Sequence, residues 1–182
     1  MAKLYTGKGD DGSTGVLGKG RVRKSDLIME VIGTLDELSA ILGSAKSQVK
    51  ERPVQAALEQ IQRDLYAIMS EVAATSQKAA KLTPFTEEKV AALEQWIALW
   101  EQDIQLPDEF ILPGETALSA AFSVCRTVAR RAERRFVEFS EAKNHLNSEI
   151  LSYMNRLSSL LYVLEIRSSK KRNKQKLKFA RV

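Results

Sequence analysis

Two stretches of this chain gather residue types that handle phosphate. Residues 5–20, YTGKGDDGSTGVLGKG, hold six of the nine glycines. Glycine lets consecutive backbone N–H groups turn inward as an anion nest, and Thr6, Ser13 and Thr14 add hydroxyl donors. Lys8, Lys19, Arg21, Arg23 and Lys24 bring positive charge within reach. Gly7-Lys8-Gly9-Asp10-Asp11-Gly12 has the spacing of the dinucleotide pattern G-x-G-x-x-G, but that pattern works only between a buried strand and a helix start, and neither is predicted here. A Walker A loop also fails, because Ser13 stands where its first glycine belongs and Gly20 follows Lys19. The alternative for this segment is a flexible N-terminal loop without chemistry.

The second stretch runs from Cys125 to Arg135 and places Arg126, Arg130, Arg131, Arg134 and Arg135 within ten positions. At about 100° per residue, Arg126, Arg130, Glu133 and Arg134 share roughly a third of a helix circumference. Like charges so placed repel unless something anionic lies among them. Carboxylates of other helices, Glu133 itself or the phosphates of a ligand would serve, and the planar guanidinium fork suits phosphate. A salt-bridged exposed face is the structural alternative. Asp36, in Gly33-Thr34-Leu35-Asp36-Glu37-Leu38, is a third polar feature. It adjoins an apolar stripe, so it is predicted at the edge of a buried face, where an arginine of the second stretch would make a suitable partner.

The elements that must position these groups read as helices. From Ser25, with Ser25 and Asp26 as caps, Leu27, Ile28, Val31, Ile32, Leu35, Leu38, Ile41 and Leu42 recur at three- and four-residue spacing. Pro53 opens a second helix running to about Ser76, and a Lys-rich stretch and Pro84 follow it. Thr86 caps a third, which stops before Pro107. Pro113-Gly114 starts a fourth, to about Ser140, and a fifth spans roughly Asn147 to Ser169. No alternating strand pattern appears, so the expected fold is all-α, a five-helix up-and-down bundle with a Gly-rich N-terminal loop. Ala117, Ala120, Ala121, Ala129 and Ala132 on the fourth helix permit close approach of a neighbour.

Composition sets the bounds. A length of 182 residues suits one domain, and 44% hydrophobic with 28% charged residues is too apolar for a disordered chain. No apolar run approaches the roughly 18 residues a bilayer span needs. The start MAKLYTGKGDDG lacks the apolar stretch of a secretory signal, and Cys125 alone cannot form an intrachain disulfide, so a cytoplasmic location is expected. The net charge of +5 comes from the end: residues 167–182 carry eight basic groups and no acidic one, which leaves the body at −3. Such a tail is expected to be solvated and frayed. A nucleic-acid-binding reading is disfavoured, since the body is acidic and Phe179 is the only aromatic in the tail. His145 is expected in the loop before the fifth helix, Cys125 as a small core residue, and no metal site is predicted.

Four blocks occur together and in order: Tyr5-Thr6-Gly7-Lys8-Gly9-Asp10-Asp11-Gly12, Gly33-Thr34-Leu35-Asp36-Glu37-Leu38, Phe110-Ile111-Leu112-Pro113-Gly114 with Arg126 to Arg135, and Tyr153-Met154-Asn155-Arg156-Leu157-Ser158. From residue 3 to about 168 the chain resembles the PduO-type ATP:corrinoid adenosyltransferases. The resemblance implies a homotrimer with active sites between subunits, and transfer of the 5′-deoxyadenosyl group of ATP to the cobalt of cob(I)alamin with release of triphosphate. It implies that Thr6, Gly7, Lys8, Gly9, Thr14, Gly15 and Lys24 wrap the triphosphate, with Arg130, Arg131, Ala132, Glu133, Arg134 and Asn155 completing the ATP site and Mg2+ riding on the phosphates. It further implies that Arg126 pairs with Asp36 of a neighbouring subunit, that Arg130 stabilises the departing triphosphate, and that Phe110 crowds the lower face of the corrin. A flavoprotein reductant and an adenosylcobalamin-dependent mutase are the partners it implies.

On this reading residues 1–168 form one domain, with 1–24 as the ATP-binding segment and 169–182 as a basic tail. Glu115, Ser123 and Ser159 depart from the family pattern, which commonly has glycine, histidine and aspartate there. A non-catalytic carrier that binds ATP and corrinoid and delivers adenosylcobalamin is the alternative function. Such a carrier would hold ligand yet form no Co–C bond.

Overall fold

Each apolar stripe of the sequence becomes the inner face of a helix. The structure is a computed structural model that describes residues 5–18, 20–74, 84–143, 147–170 and 177–180. Its helices are α1 Leu27–Gln48, α2 Arg52–Ala73, α3 Glu87–Glu101, α4 Ala117–Lys143 and α5 Ser148–Lys170. Cross-helix pairs set their directions. Arg126 with Glu165 and Asn155 with Glu133 run α4 antiparallel to α5, whereas Glu94 with Arg156 and Asp103 with Arg167 run α3 parallel to α5. The result is the five-helix up-and-down arrangement that the periodicity predicts.

Leu35, Leu38 and Leu42 of α1, Leu58, Ile61, Leu65 and Ile68 of α2, Leu93 of α3 and Leu157, Leu160 and Leu161 of α5 are fully buried in one core. Full burial of such a side chain contributes about 1.5–3 kcal/mol. Cys125, Ala129 and Ala132 give α4 a small inward face, also fully buried, which lets α1 and α5 pack closely against it. A polar cluster is buried beside the apolar one. Asp64 of α2 accepts from Tyr153 Oη (3.0 Å) and Gln60 Nε2 (3.1 Å) and pairs with Lys89 of α3. Burial first, and then the charge of Asp64, raises the Tyr153 phenol well above its ordinary value, so it stays a proton donor. The periodic reading missed Asp64, although its place three residues after Ile61 on the same stripe was the signal.

Helix boundaries follow local polar chemistry. Asp26 precedes α1, and its carbonyl accepts from the N–H groups of Met29 (2.8 Å) and Glu30 (3.2 Å), which makes it, not Ser25, the boundary residue. Pro113-Gly114 forms a turn and not the first turn of a helix, because Gly114 adopts a φ of 104° that side chains oppose. Helix α4 begins after Thr116, whose Oγ1 accepts from the Ser119 N–H while Ser119 Oγ accepts from the Thr116 N–H, both at 2.9 Å. It runs past Ser140 to Lys143. Asn147 caps α5 by accepting from the Glu149 N–H (3.1 Å).

Two segments differ from expectation. The N-terminal segment contains a hairpin, β1 Ser13–Gly15 paired antiparallel with β2 Arg21–Arg23, where the sequence predicts only loop. Beyond β1, Leu17 bridges to Ala74, just past the end of α2. Residues 177–180 of the basic tail are not frayed: Leu112 N donates to Lys178 O and Ala180 N to Phe110 O, each at 2.8 Å, with Ile111 opposite Phe179. Backbone pairing of this kind carries no charge signature, so composition could not reveal it. His145, Lys19, most of the Lys-rich stretch before Pro84 and the remaining tail basic residues beyond Lys170 lie outside the described residues. Among those described, no helix is long and apolar enough to cross a membrane.

Candidate active site

The N-terminal loop is held by its own cations. Arg21 of β2 donates through Nε to Ser13 Oγ (2.8 Å) and through Nη2 to the carbonyls of Ser13 (3.0 Å) and Lys8. Lys24 Nζ donates to the Gly9 carbonyl (2.7 Å). A Cβ at Gly9 would lie 3.2 Å from that ammonium, so glycine there permits the close approach. Asp11 accepts from both the hydroxyl and the N–H of Ser13 (2.8 Å each), and these bonds, the hydroxyl first, hold its carboxyl below the ordinary range. The loop also closes on itself, with the N–H groups of Asp10 and Gly12 donating to the carbonyls of Gly7 and Gly9, each at 3.2 Å. Arg21 was counted in the sequence only as nearby charge, and its role as the tie of this loop is visible only in three dimensions.

The five arginines of α4 divide into two kinds. Arg126 pairs with Glu165 (2.9 Å), Arg131 with Glu37 of α1, and Arg135 with Glu138 (2.9 Å). Arg130 and Arg134 have no carboxylate partner among the described residues; Arg134 Nη1 reaches only the Arg130 carbonyl (3.1 Å). Both line a shallow cleft of about 290 Å3 with Glu133 and Val137. Asn155 Nδ2 donates to Glu133 Oε1 (3.2 Å) and so brings α5 to the same cleft. Asp36 is exposed and not at the edge of the buried face. Within the chain Arg131 answers its neighbour Glu37, because positions 35 and 38 face inward and turn 36 away.

A larger open cavity of about 520 Å3 adjoins the cleft through Arg130. Phe110, Ile111, Arg126, Arg130, Ser158, Ser159 and Tyr162 line it. Phe110 is 86% exposed, while its backbone is held by the pairing with residues 178–180. An apolar ring on an anchored backbone, facing open space, suits a flat apolar ligand. The Arg126 guanidinium lies over the Tyr162 ring at 5.7 Å. Burial, then Glu165, raises the Tyr162 phenol against the opposing pull of Arg126, which leaves a neutral hydroxyl in the cavity wall. Glu165, 1% exposed behind this wall, was missed in the sequence. A carboxylate inside the run Leu160 to Ile166 was the available signal.

A family model described as cobalamin adenosyltransferase matches residues 4–167. The chain belongs to the cobalamin adenosyltransferase family. It is 38% identical over 165 residues to a cobalamin adenosyltransferase of Cupriavidus metallidurans, covering 90% of this chain and 86% of that protein. It is 36% identical over 165 residues to a corrinoid adenosyltransferase of Bacillus subtilis, covering 88% and 83%. Among solved structures, a phenylalanine-to-alanine variant of the PduO-type ATP:corrinoid adenosyltransferase from Lactobacillus reuteri, complexed with cobalamin and ATP, superposes with a TM-score of 0.88 at 29% identity. That match covers 99% of this chain and all of the other. An arginine-to-lysine variant of the Lactobacillus enzyme, complexed with ATP, gives 0.85 at 29% identity over 98% and 100% of the two chains.

In this cobalamin adenosyltransferase-family chain, the fold brings Arg126, Arg130 and Phe110 to one cavity and Arg130, Glu133 and Arg134 to the cleft beside it. Ala132 is buried against the core and presents no side chain to the cleft. No hydrogen bond or ion pair among the described residues joins residues 5–24 to α4, so Thr6, Gly7, Lys8, Gly9, Thr14, Gly15 and Lys24 form a second group. Of the departures from the family pattern, Ser123 accepts from Arg126 Nη2 (3.4 Å), Ser159 lines the cavity, and Glu115 lies 3.8 Å from Lys178.

Proposed function

We propose that this chain transfers the 5′-deoxyadenosyl group of ATP to the cobalt of cob(I)alamin, in sites completed between subunits of a homotrimer. One observation carries the reading: two adjoining recesses share Arg130, one edged by guanidinium groups without carboxylate partners among the described residues and the other faced by an exposed aromatic ring. A triphosphate in the first and a corrin over the second would bring cobalt toward the 5′ carbon. The cobalt electron pair forms the Co–C bond as the C–O bond to triphosphate breaks and its electrons leave with the phosphate. Cob(I) is a powerful nucleophile, so the chain need supply none. Its tasks are alignment, exclusion of water and stabilisation of the leaving charge.

Arg130, at the junction, takes the charge that grows on the departing triphosphate, Arg134 adds to the field, and Arg131 lends it less because Glu37 offsets its charge. Glu133 and Asn155 orient this edge of the nucleotide. Phe110 presses on the lower corrin face, displaces the axial ligand and makes the four-coordinate cobalt easier to reduce. That no hydrogen bond or ion pair among the described residues joins the N-terminal loop to α4 supports a shared site, in which the loop of a neighbouring subunit closes over the phosphates and that subunit's Asp36 meets the free edge of Arg126. Mg2+, held by phosphate oxygens with Glu133 as the nearest carboxylate donor of the cleft, would offset phosphate charge. A cytoplasmic location, a flavoprotein that delivers electrons to cobalt and a mutase that accepts the product complete the proposal.

The test is incubation with ATP, Mg2+ and chemically reduced cobalamin, following loss of the cob(I) spectrum and appearance of the Co–C product. Binding of both ligands without that product would favour a carrier. A monomeric mass in sedimentation with full activity would end the shared-site reading.

A further inference from the structure

Arg126 is an arginine of the site whose charge is met from inside the bundle. Its Nε donates to Glu165 Oε2 (2.9 Å), its Nη2 to Ser123 Oγ (3.4 Å), and its guanidinium lies over the Tyr162 ring. Glu165 is 1% exposed, and its other oxygen, Oε1, is buried with no partner among the described residues. A carboxylate taken out of water is costly unless a cation compensates it, and here Arg126 is that cation. The geometry of the bond matters as much as its charge. Engaging Nε, and not the outer nitrogens, fixes the roll of the guanidinium plane and directs the Nη edge away from Glu165. That edge belongs to a side chain lining the 520 Å3 cavity, and Tyr162, one turn of α5 before Glu165, lines the same cavity. The cleft edged by Arg134 and Glu133 lies outside this arrangement.

We propose that Glu165 is a positioning residue for Arg126, holding its guanidinium in the wall of the larger cavity so that recognition of the corrinoid, and not of ATP, depends on it. The proposal rests on the adenosyl-transfer reading of the two recesses. Ser159, the wall position where the family pattern commonly has aspartate, carries no charge, so Glu165 is the carboxylate that the described residues of this chain supply to Arg126.

The test compares wild type with Glu165→Gln, which keeps the volume and removes the charge. The KM for cob(I)alamin should rise about tenfold, as expected for loss of a charge-assisted bond that orients a binding group, with the KM for ATP and kcat within about twofold. The four-coordinate fraction of bound cob(II)alamin, read from its absorption and electron paramagnetic resonance, should fall in parallel. A double variant, Arg126→Leu with Glu165→Leu, removes both buried charges; it should melt near wild type yet show the corrinoid defect of Arg126→Leu alone. An unchanged corrinoid KM and spectrum in Glu165→Gln, with only a lower melting temperature, would reduce Glu165 to a structural bridge and overturn the proposal. An equal rise in both KM values would overturn it too, because it would signal general loosening. Should wild type form no Co–C bond, the functional reading fails on its own; equilibrium titration of cob(II)alamin into wild type and Glu165→Gln would still read the Arg126 effect.

Discussion

The N-terminal loop and helix α4 use positive charge in opposite ways. In the loop, Arg21 and Lys24 turn inward onto the carbonyls of Lys8, Ser13 and Gly9, and the charge serves to shape backbone. On α4, Arg130 and Arg134 have no carboxylate partner among the described residues, and the charge is left for something else. A short glycine-rich segment that meets the core through Val16 and Val22 without burying them fully is shaped by internal ties as well. A helix locked by Cys125, Ala129 and Ala132 is already rigid and can hold its cations apart against their repulsion. Scaffold and field are thus divided between two regions that share no hydrogen bond or ion pair among the described residues.

The contrast breaks most sharply at the open end of that division. Arg130→Ala should slow loss of the cob(I) spectrum by about 100-fold or more, the scale of removing one preorganised donor to developing charge. Its thermal melt should match wild type, since the side chain makes no ion pair among the described residues; near-normal turnover would remove Arg130 from its role. Next in size is the tied end. Arg21→Ala should loosen the loop and raise the KM for ATP roughly tenfold, with kcat changed much less, because three hydrogen bonds that preorganise a binding loop are lost. Equal effects on KM and kcat would show that the loop acts on the reaction as well as on binding.

Smaller effects sharpen the comparison by showing which groups stand outside it. Arg135→Ala should leave both KM values and kcat within about twofold and stability within roughly 0.5 kcal/mol, since its exposed pair with Glu138 is screened by solvent. Burial pushes the Cys125 thiol up to about 12. A raised value favours the protonated form in the fold, so this contribution to stability is whole below the ordinary value near 9 and is lost as pH rises toward 12. Native protein at pH 8 should therefore resist alkylation that proceeds readily after unfolding, and rapid labelling of the native chain would contradict the buried placement.

Much of the fold was legible because helices announce themselves by a 3.6-residue period. The stripes Leu27 to Leu42 and Ile150 to Leu164 could bury one face in no other way. The hairpin was not legible, since strands of three residues are too short for alternation to register. Neither was the pairing of residues 178–180 with 110–112, which uses backbone groups that every residue carries. Asp64 and Glu165 were passed over for a different reason: a carboxylate on an apolar stripe reads as an interruption until its partner on another helix is seen.

By itself, then, the sequence determined which segments become helices, which face of each turns inward, and that phosphate-handling residues concentrate near the chain start and on one helix. These follow from local spacing and side-chain chemistry. Tertiary structure alone decided which arginines are neutralised and which stay open, and that Phe110 is anchored by the chain end. Those outcomes depend on partners distant in sequence, such as Arg131 with Glu37 and Arg126 with Glu165, whose meeting is set by how five helices pack and not by anything written beside them.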